Sequence, residues 1–282
     1  MSVALRCTVR DCAASLTRQG ARWACEKGHS FDQHRSGSLN LLQPQDRRSR
    51  HPGDSREAAQ ARRRLAEIGH ADAVYRAFSH GVGSRSQGRP AGLLDVGCGE
   101  GAFLRSIAGV PALERHGVDI SAPSIELAAK ASPEVRFVVA NADRSLPYAD
   151  QSFDFVTSID SRVNASEFER VLRNDGLILV AVPAPDDLIE LREHVQGGRV
   201  EKSRSARIEE ELGKSLRLAD RTTIRDQRTF EPSVLRDLLT VTYRGFRQSE
   251  RAAVESMGAM NVTLSHEVLA FERRHTGLVV RR

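Results

Sequence analysis

Four side chains near the start of the chain have the types and spacing of metal ligands. Cys7 and Cys12 form a C-x4-C pair, twelve residues intervene, and Cys25 and His29 form a C-x3-H pair. Two such close pairs of soft donors can meet around one tetrahedral zinc, and with all four positions filled by protein no open coordination site remains for catalysis. Clustered cysteines in a cytosolic chain mean metal more often than disulfides. A module of about 40 residues buries too little apolar surface to hold itself together, so a metal would supply much of its stability. Trp23 and Phe31 are the large apolar side chains at hand to pack it.

A second set of residues points to a different chemistry. Leu93-Leu94-Asp95-Val96-Gly97-Cys98-Gly99-Glu100-Gly101 is a short apolar run that ends in an acid and a glycine-rich turn, and Ala102 to Ile107 then reads as a helix. Strand, tight turn and helix start let backbone approach a nucleotide-like ligand. Asp119 follows at the end of a second strand, roughly twenty residues beyond the glycines, where a carboxylate accepts from both ribose hydroxyls. The pattern Asp-x-Gly-x-Gly-x-Gly with this second acid points to S-adenosylmethionine (SAM), with Asp95, Gly97, Gly99, Gly101 and Asp119 around it. Asn141 and Asp143 lie beyond a third strand, Val135 to Val139, and are expected to border the adenine.

These residues need elements to position them. Strands are expected near 93–96, 115–119, 135–139, 153–158 and 176–182, with helices near 100–108, 122–131, 165–173 and 186–195. Such alternation implies an α/β fold with a mainly parallel sheet covered on both faces. Beyond it come a polar stretch over 196–215, read as a solvated insertion or as a loop plus a short helix, then a strand at 216–229, a helix at 232–241 and a strand at 261–273. Before the glycine turn, Asp54 or Ser55 is expected to cap a helix from Arg56 to about Ile68. Gly81 to Pro90 reads as a flexible loop. The resulting division is a zinc-binding module over 1–44, a basic connector with helices over 45–91, and a SAM-dependent domain over 92–282.

Charge and composition narrow the partners. The net charge is +5 and the pI about 9.3, which favours a polyanion. Seven arginines fall within the eighteen residues from Arg47 to Arg64, enough to neutralise several phosphates, although a solvated charged linker would look similar. The longest apolar run, Leu177 to Val182, suits a buried strand and is far short of the ~18 residues of a membrane span. Arg6, Cys7 and Arg10 interrupt any apolar signal core, so a cytoplasmic protein without a membrane partner is expected.

The chain as a whole resembles the bacterial 23S ribosomal RNA guanine-N1 methyltransferases of the RlmA type. The zinc quartet running into Gly28-His29-Ser30-Phe31-Asp32 carries the likeness, with Leu39-Asn40-Leu41-Leu42, Arg48-Ser49-Arg50-His51-Pro52-Gly53-Asp54-Ser55, Gln60-Ala61-Arg62-Arg63, Gly69-His70 and the glycine turn. The resemblance implies a class I SAM-dependent, Rossmann-like domain with a small N-terminal zinc module that helps recognise RNA. It implies that Gly99 and Glu100 contact SAM, that the acceptor is N1 of a guanine in a hairpin of 23S rRNA, and that the protein forms a homodimer. Departures from the family pattern cluster at the expected ligand rim: Ala71 where an aromatic is usual, Asp160-Ser161-Arg162 after the fourth strand, Asn174-Asp175-Gly176 before the fifth, and Asp187 where a histidine can occur.

Methyl transfer to N1 requires a proton to leave, and Asp160 at the carboxyl end of the fourth strand is the carboxylate proposed to receive it or ease its departure. Arg47, Arg48, Arg50, Arg62 and Arg63 are the expected phosphate contacts, and Tyr243 and Phe246 are candidate stacking platforms. Two other readings remain open at this level. A methyltransferase of a small molecule or protein accounts for the SAM motif alone, and a catalytically impaired RNA- or SAM-binding relative accounts for the altered rim.

Overall fold

The computed structural model describes residues 3–46, 52–196, 204–242 and 258–274. The N-terminal segment forms a three-stranded antiparallel ribbon of β1 (Thr17–Gln19), β2 (Arg22–Ala24) and β3 (Ser30–Asp32). β4 (Leu39–Asn40) keeps one antiparallel bridge to the ribbon side, Leu39 to Gln33. It pairs in parallel with a strand of the large sheet, Leu39 opposite Val138 and Asn40 opposite Val139. The segment expected to close the zinc module therefore also builds the sheet's edge.

Two helices follow. α1 (Arg56–Glu67) starts where Ser55 accepts a hydrogen bond from the Ala58 N–H, so Ser55 rather than Asp54 is the cap. α2 (Asp72–Ser86) runs through half of the stretch expected to be a loop. Val74, Phe78 and Val82 recur every four residues along one buried stripe, and that stripe outweighs the helix-weakening glycines at 81 and 83. Gly81 sits against Leu179, where a Cβ would lie 3.4 Å from the leucine side chain.

The remaining elements are β5 (Ala91–Val96), α3 (Ala102–Ser106), β6 (Leu113–Asp119), α4 (Ala122–Ala131), β7 (Arg136–Val139), β8 (Phe153–Ile159), α5 (Ala165–Val171), β9 (Leu172–Pro183), α6 (Ile189–Gln196), α7 (Ser205–Leu212), β10 (Leu216–Phe230), α8 (Pro232–Thr242) and β11 (Met260–Arg273). The large sheet has the order β10-β11-β9-β8-β5-β6-β7-β4. β4 through β9 pair in parallel, β11 adds antiparallel to β9, and β10 adds antiparallel to β11. The central strands are buried along nearly their whole length, as a sheet covered on both faces requires. The ribbon, α5 and α7 cover one face, and α2, α3 and α4 the other. A third apolar cluster joins α1, α6 and α8 to β11. Among the described residues no helix is long and apolar enough to cross a membrane.

The strand order reverses between β5 and β8. The crevice outside the carboxyl ends of these two strands is where open α/β sheets bind ligands. The glycine turn lies on one side of it and Asp160 on the other.

Candidate functional site

The metal ligands come together as their spacing predicts. Cys7 and Cys12 lie on one loop, in which the Cys12 N–H donates to the Val9 carbonyl; Cys25 and His29 lie on a second, closed by the Gly28 N–H donating to the Cys25 carbonyl. The four donor atoms fall within 4.8 Å of one another. Cys12 Sγ and Cys25 Sγ are 3.8 Å apart, and His29 Nδ1 is 3.3 Å from Cys12 Sγ and 3.5 Å from Cys7 Sγ and from Cys25 Sγ. A tetrahedral zinc with sulfurs at about 2.3 Å and a nitrogen at about 2.1 Å sets these edges at about 3.8 and 3.6 Å. The donors are thus arranged around one zinc-sized point. Trp23 and Phe31, paired across β2 and β3, pack on the main core, and the Arg136 guanidinium of β7 sits 5.3 Å over the Trp23 ring.

At the other site, β5 delivers a buried Asp95 whose carboxylate accepts from Thr157 Oγ1 at 2.8 Å. Burial pushes its pKa up to about 7, with Asp119 adding to the effect and the Thr157 hydrogen bond opposing it. Gly97, Gly99 and Gly101 have φ of 76°, 54° and 81°, backbone that L side chains rarely adopt. A Cβ on Gly97 would lie 2.0 Å from Ser161 Oγ, and one on Gly101 would lie 3.0 Å from the Phe137 ring. Asp119 closes the turn, accepting from the Gly99 N–H at 3.0 Å and the Ser121 N–H at 2.7 Å. Its pKa is raised by burial despite those two donors. Carboxylates held partly against their charge in this way favour a cationic ligand, and the sulfonium of SAM supplies one.

Glu100 is 3% exposed and is held by Arg105, through its carboxylate at 2.6 Å and its carbonyl at 2.7 Å. Asn141 donates to the Asp46 carbonyl at 2.8 Å and accepts from the Asp143 N–H at 3.0 Å, which ties the loop after β7 to the start of the connector. Asp143 pairs with Arg162 at 3.0 Å.

Asp160 has a φ of 54° and faces His266, whose Nε2 lies 3.1 and 3.2 Å from its two carboxylate oxygens. Burial acts to raise the Asp160 pKa, but His266, Arg62 and His70 outweigh it and hold the carboxylate below its ordinary value. Burial likewise acts to lower the His266 pKa, but Asp160 and Asp187 lift it to about 9. Asp187 itself is pushed up to about 6, mainly by burial, while accepting from the Ser265 N–H at 2.8 Å. His70 Nδ1 is buried with no hydrogen-bond partner among the described residues. His266 was missed by sequence reasoning, yet it had a signal. It stands in phase with Val262, Leu264 and Val268 on the apolar side of an alternating strand, where an ionisable residue is out of place unless paired.

The arginines separate. Arg63 is exposed and pairs with Glu67, and Arg64 makes two hydrogen bonds to the Asp237 carboxylate. Arg62 instead turns inward, with Nε 2.5 Å from Asp54 Oδ2 and Nη2 3.2 Å from the Val241 carbonyl. Arg47, Arg48, Arg50, Tyr243 and Phe246 lie outside the described residues. Asp54 belongs to a turn that docks on the cofactor side: Ser121 Oγ donates to its carbonyl at 2.8 Å, and a Cβ on Gly53 would lie 2.8 Å from the Ser121 backbone. The Pro-Gly-Asp segment, expected only as part of a basic connector, thus braces the SAM cradle.

Comparison with known proteins matches the two regions of the chain to separate families. Residues 93–176 match the model of a methyltransferase domain family, and residues 5–50 match the RlmA N-terminal zinc-ribbon family. A Bacillus subtilis protein provisionally named 23S rRNA (guanine-N(1)-)-methyltransferase YxjB is 35% identical over 194 residues, 67% of each chain. A Micromonospora griseorubida protein of the same provisional name is 32% identical over 215 residues, covering 71% of this chain and 72% of the other. The 23S rRNA (guanine(748)-N(1))-methyltransferase of Streptomyces fradiae is 28% identical over 267 residues, 93% of this chain and 94% of its own.

Proposed function

The chain belongs to the RlmA-type family of 23S rRNA (guanine-N1)-methyltransferases, and from that premise we propose that it transfers the methyl group of SAM to N1 of a guanine in a hairpin of 23S rRNA. The observation that carries this reading is structural continuity. The zinc ribbon joins the sheet of the methyltransferase domain through β4, and Asn141 at the end of β7 hydrogen-bonds Asp46 just beyond the ribbon.

The reaction needs in-line approach of N1 to the methyl carbon. The N–C bond forms as the C–S bond breaks, the sulfonium becomes a thioether, and the N1 proton leaves. SAM brings an activated methyl, so positioning supplies much of the acceleration. Asp160 stays ionised at working pH because His266 holds it so. It is therefore a weak base but a strong hydrogen-bond acceptor, suited to orient the N1–H and stabilise the positive charge that grows there before the proton departs. N1 lies on the Watson–Crick edge, so the guanine must be unpaired or extruded. Arg47, Arg48, Arg50 and Arg63 would hold flanking phosphates, which makes RNA affinity fall steeply with salt.

The test is primer extension on unmodified 23S rRNA incubated with the protein and SAM. One new SAM-dependent stop at a hairpin guanine is expected, because an N1 methyl blocks pairing. Methyl incorporation into a small molecule or protein instead, with no stop on rRNA, would overturn the acceptor.

A further inference from the structure

We propose that Arg62 grips the methionine carboxylate of SAM, and that Asp54 aims it there. The inference deepens the cofactor part of the proposed function and does not depend on which acceptor is methylated.

SAM presents three charges: a sulfonium, an ammonium and a carboxylate. The crevice is rich in groups for the first two. Asp95 is buried and Asp119 half-buried beside the glycine turn. Counter-charges for the carboxylate are few. Arg105 is committed to Glu100 through two hydrogen bonds. His266 is committed to Asp160. His70 has its pKa lowered, mainly by burial, which disfavours its charged form.

Arg62 remains. Its Cδ lies 3.7 Å from the point where a Cβ on Gly99 would sit, so the side chain crosses directly over the glycine turn. Its Nε and Nη2 are occupied by Asp54 and by the Val241 carbonyl, while Nη1 has no hydrogen-bond partner among the described residues. Asp119 and Asp160 are both near enough to act on its charge. A SAM bound over the glycine turn would present its amino-acid end to side chains that cross that turn, and Arg62 is one of them. The side chain's remaining N–H groups and its fixed planar fork suit a carboxylate. Asp54 holds the fork in place, and Asp54 is itself held by the hydrogen bond from Ser121 to its carbonyl.

The experiment compares SAM with decarboxylated SAM, which keeps the sulfonium, ribose and adenine and lacks only the carboxylate. Binding of each is measured by calorimetry on the full-length protein without RNA. Wild type is expected to bind SAM at least ~10-fold more tightly than the analogue, the size of one charge-assisted hydrogen bond or more. Arg62→Gln should lose about tenfold in SAM affinity but less than about twofold for the analogue, which erases the preference. Arg62→Lys, which keeps charge and length, should retain part of it. A variant that weakens both ligands equally shows a merely structural role and overturns the proposal, as does one that keeps the wild-type preference. Should Arg62→Gln fail to fold, the wild-type comparison still decides: equal affinity for the two ligands overturns it. Failure of the rRNA assay with the preference intact would dismiss the acceptor and leave Arg62 in its role.

Discussion

Asp160 and His266 set each other's charge, and the direction of each shift fixes a pH window. His266 rises from 6.5 to about 9 on folding, so its contribution to stability is complete below pH 6.5 and is lost as pH climbs toward 9. Asp160 is depressed, so its contribution is present above its unfolded value and lost only as pH falls through the folded one. The pair therefore supports the fold most between roughly pH 4 and 6.5. Asp160 keeps 34% of its side-chain exposure, so solvent screens the pair and the effect is modest. His266→Gln should lower the melting temperature at pH 6 and converge on wild type above pH 9; curves that stay parallel across that range would dismiss the linkage. Asp160→Asn preserves shape and removes the charge. Turnover on rRNA should fall by ~100-fold or more, in the range of acid–base and electrostatic contributions, while SAM affinity shifts little. Unchanged turnover would take Asp160 out of the chemistry.

The element that most changes the picture is the turn from Pro52 to Ser55. Gly53 has a φ of 81°, and a Cβ there would lie 2.8 Å from the Ser121 backbone nitrogen and 2.9 Å from its Cα. Neither atom can give way as a flexible side chain would. Gly53→Ala should lift the turn off α4, lower stability by about 1–3 kcal/mol and weaken SAM binding through the displaced Asp54 and Arg62. A thermal melt and a SAM titration check the two arms, and unaltered SAM affinity would separate this turn from the cradle. This also shows what could be read from sequence. The zinc quartet, the glycine turn and the strands after it were legible, because ligand spacing, glycine placement and apolar runs are local signals. α2 was not, because two glycines near its end masked a stripe made by Val74, Phe78 and Val82. The inward turn of Arg62 was not legible either, since three consecutive arginines look alike until Asp54 and Val241 arrive from elsewhere. The pairing of Asp160 with His266 joins residues 106 apart and depends on β11 lying beside β9.

At the scale of the whole molecule, the zinc ribbon is continuous with the catalytic sheet. β4 pairs with β7, and the Leu41 N–H donates to the Val139 carbonyl at 2.9 Å. Chelating the zinc, or replacing Cys12 with Ser, should therefore loosen the sheet's edge as well as the ribbon. Hydrogen exchange is expected to speed up at Leu41 and Phe137 to Val139 while the central β8 amides stay protected. Protection unchanged at β7 would show that the edge holds without the metal. The same pairing also has a place in time. β4 leaves the ribosome about a hundred residues before the strand it must join, a gap of roughly 5–20 s at typical synthesis rates. Through that interval the nascent ribbon lacks the β7 edge it later joins, and its own ladder pairs and a bound zinc would have to hold it.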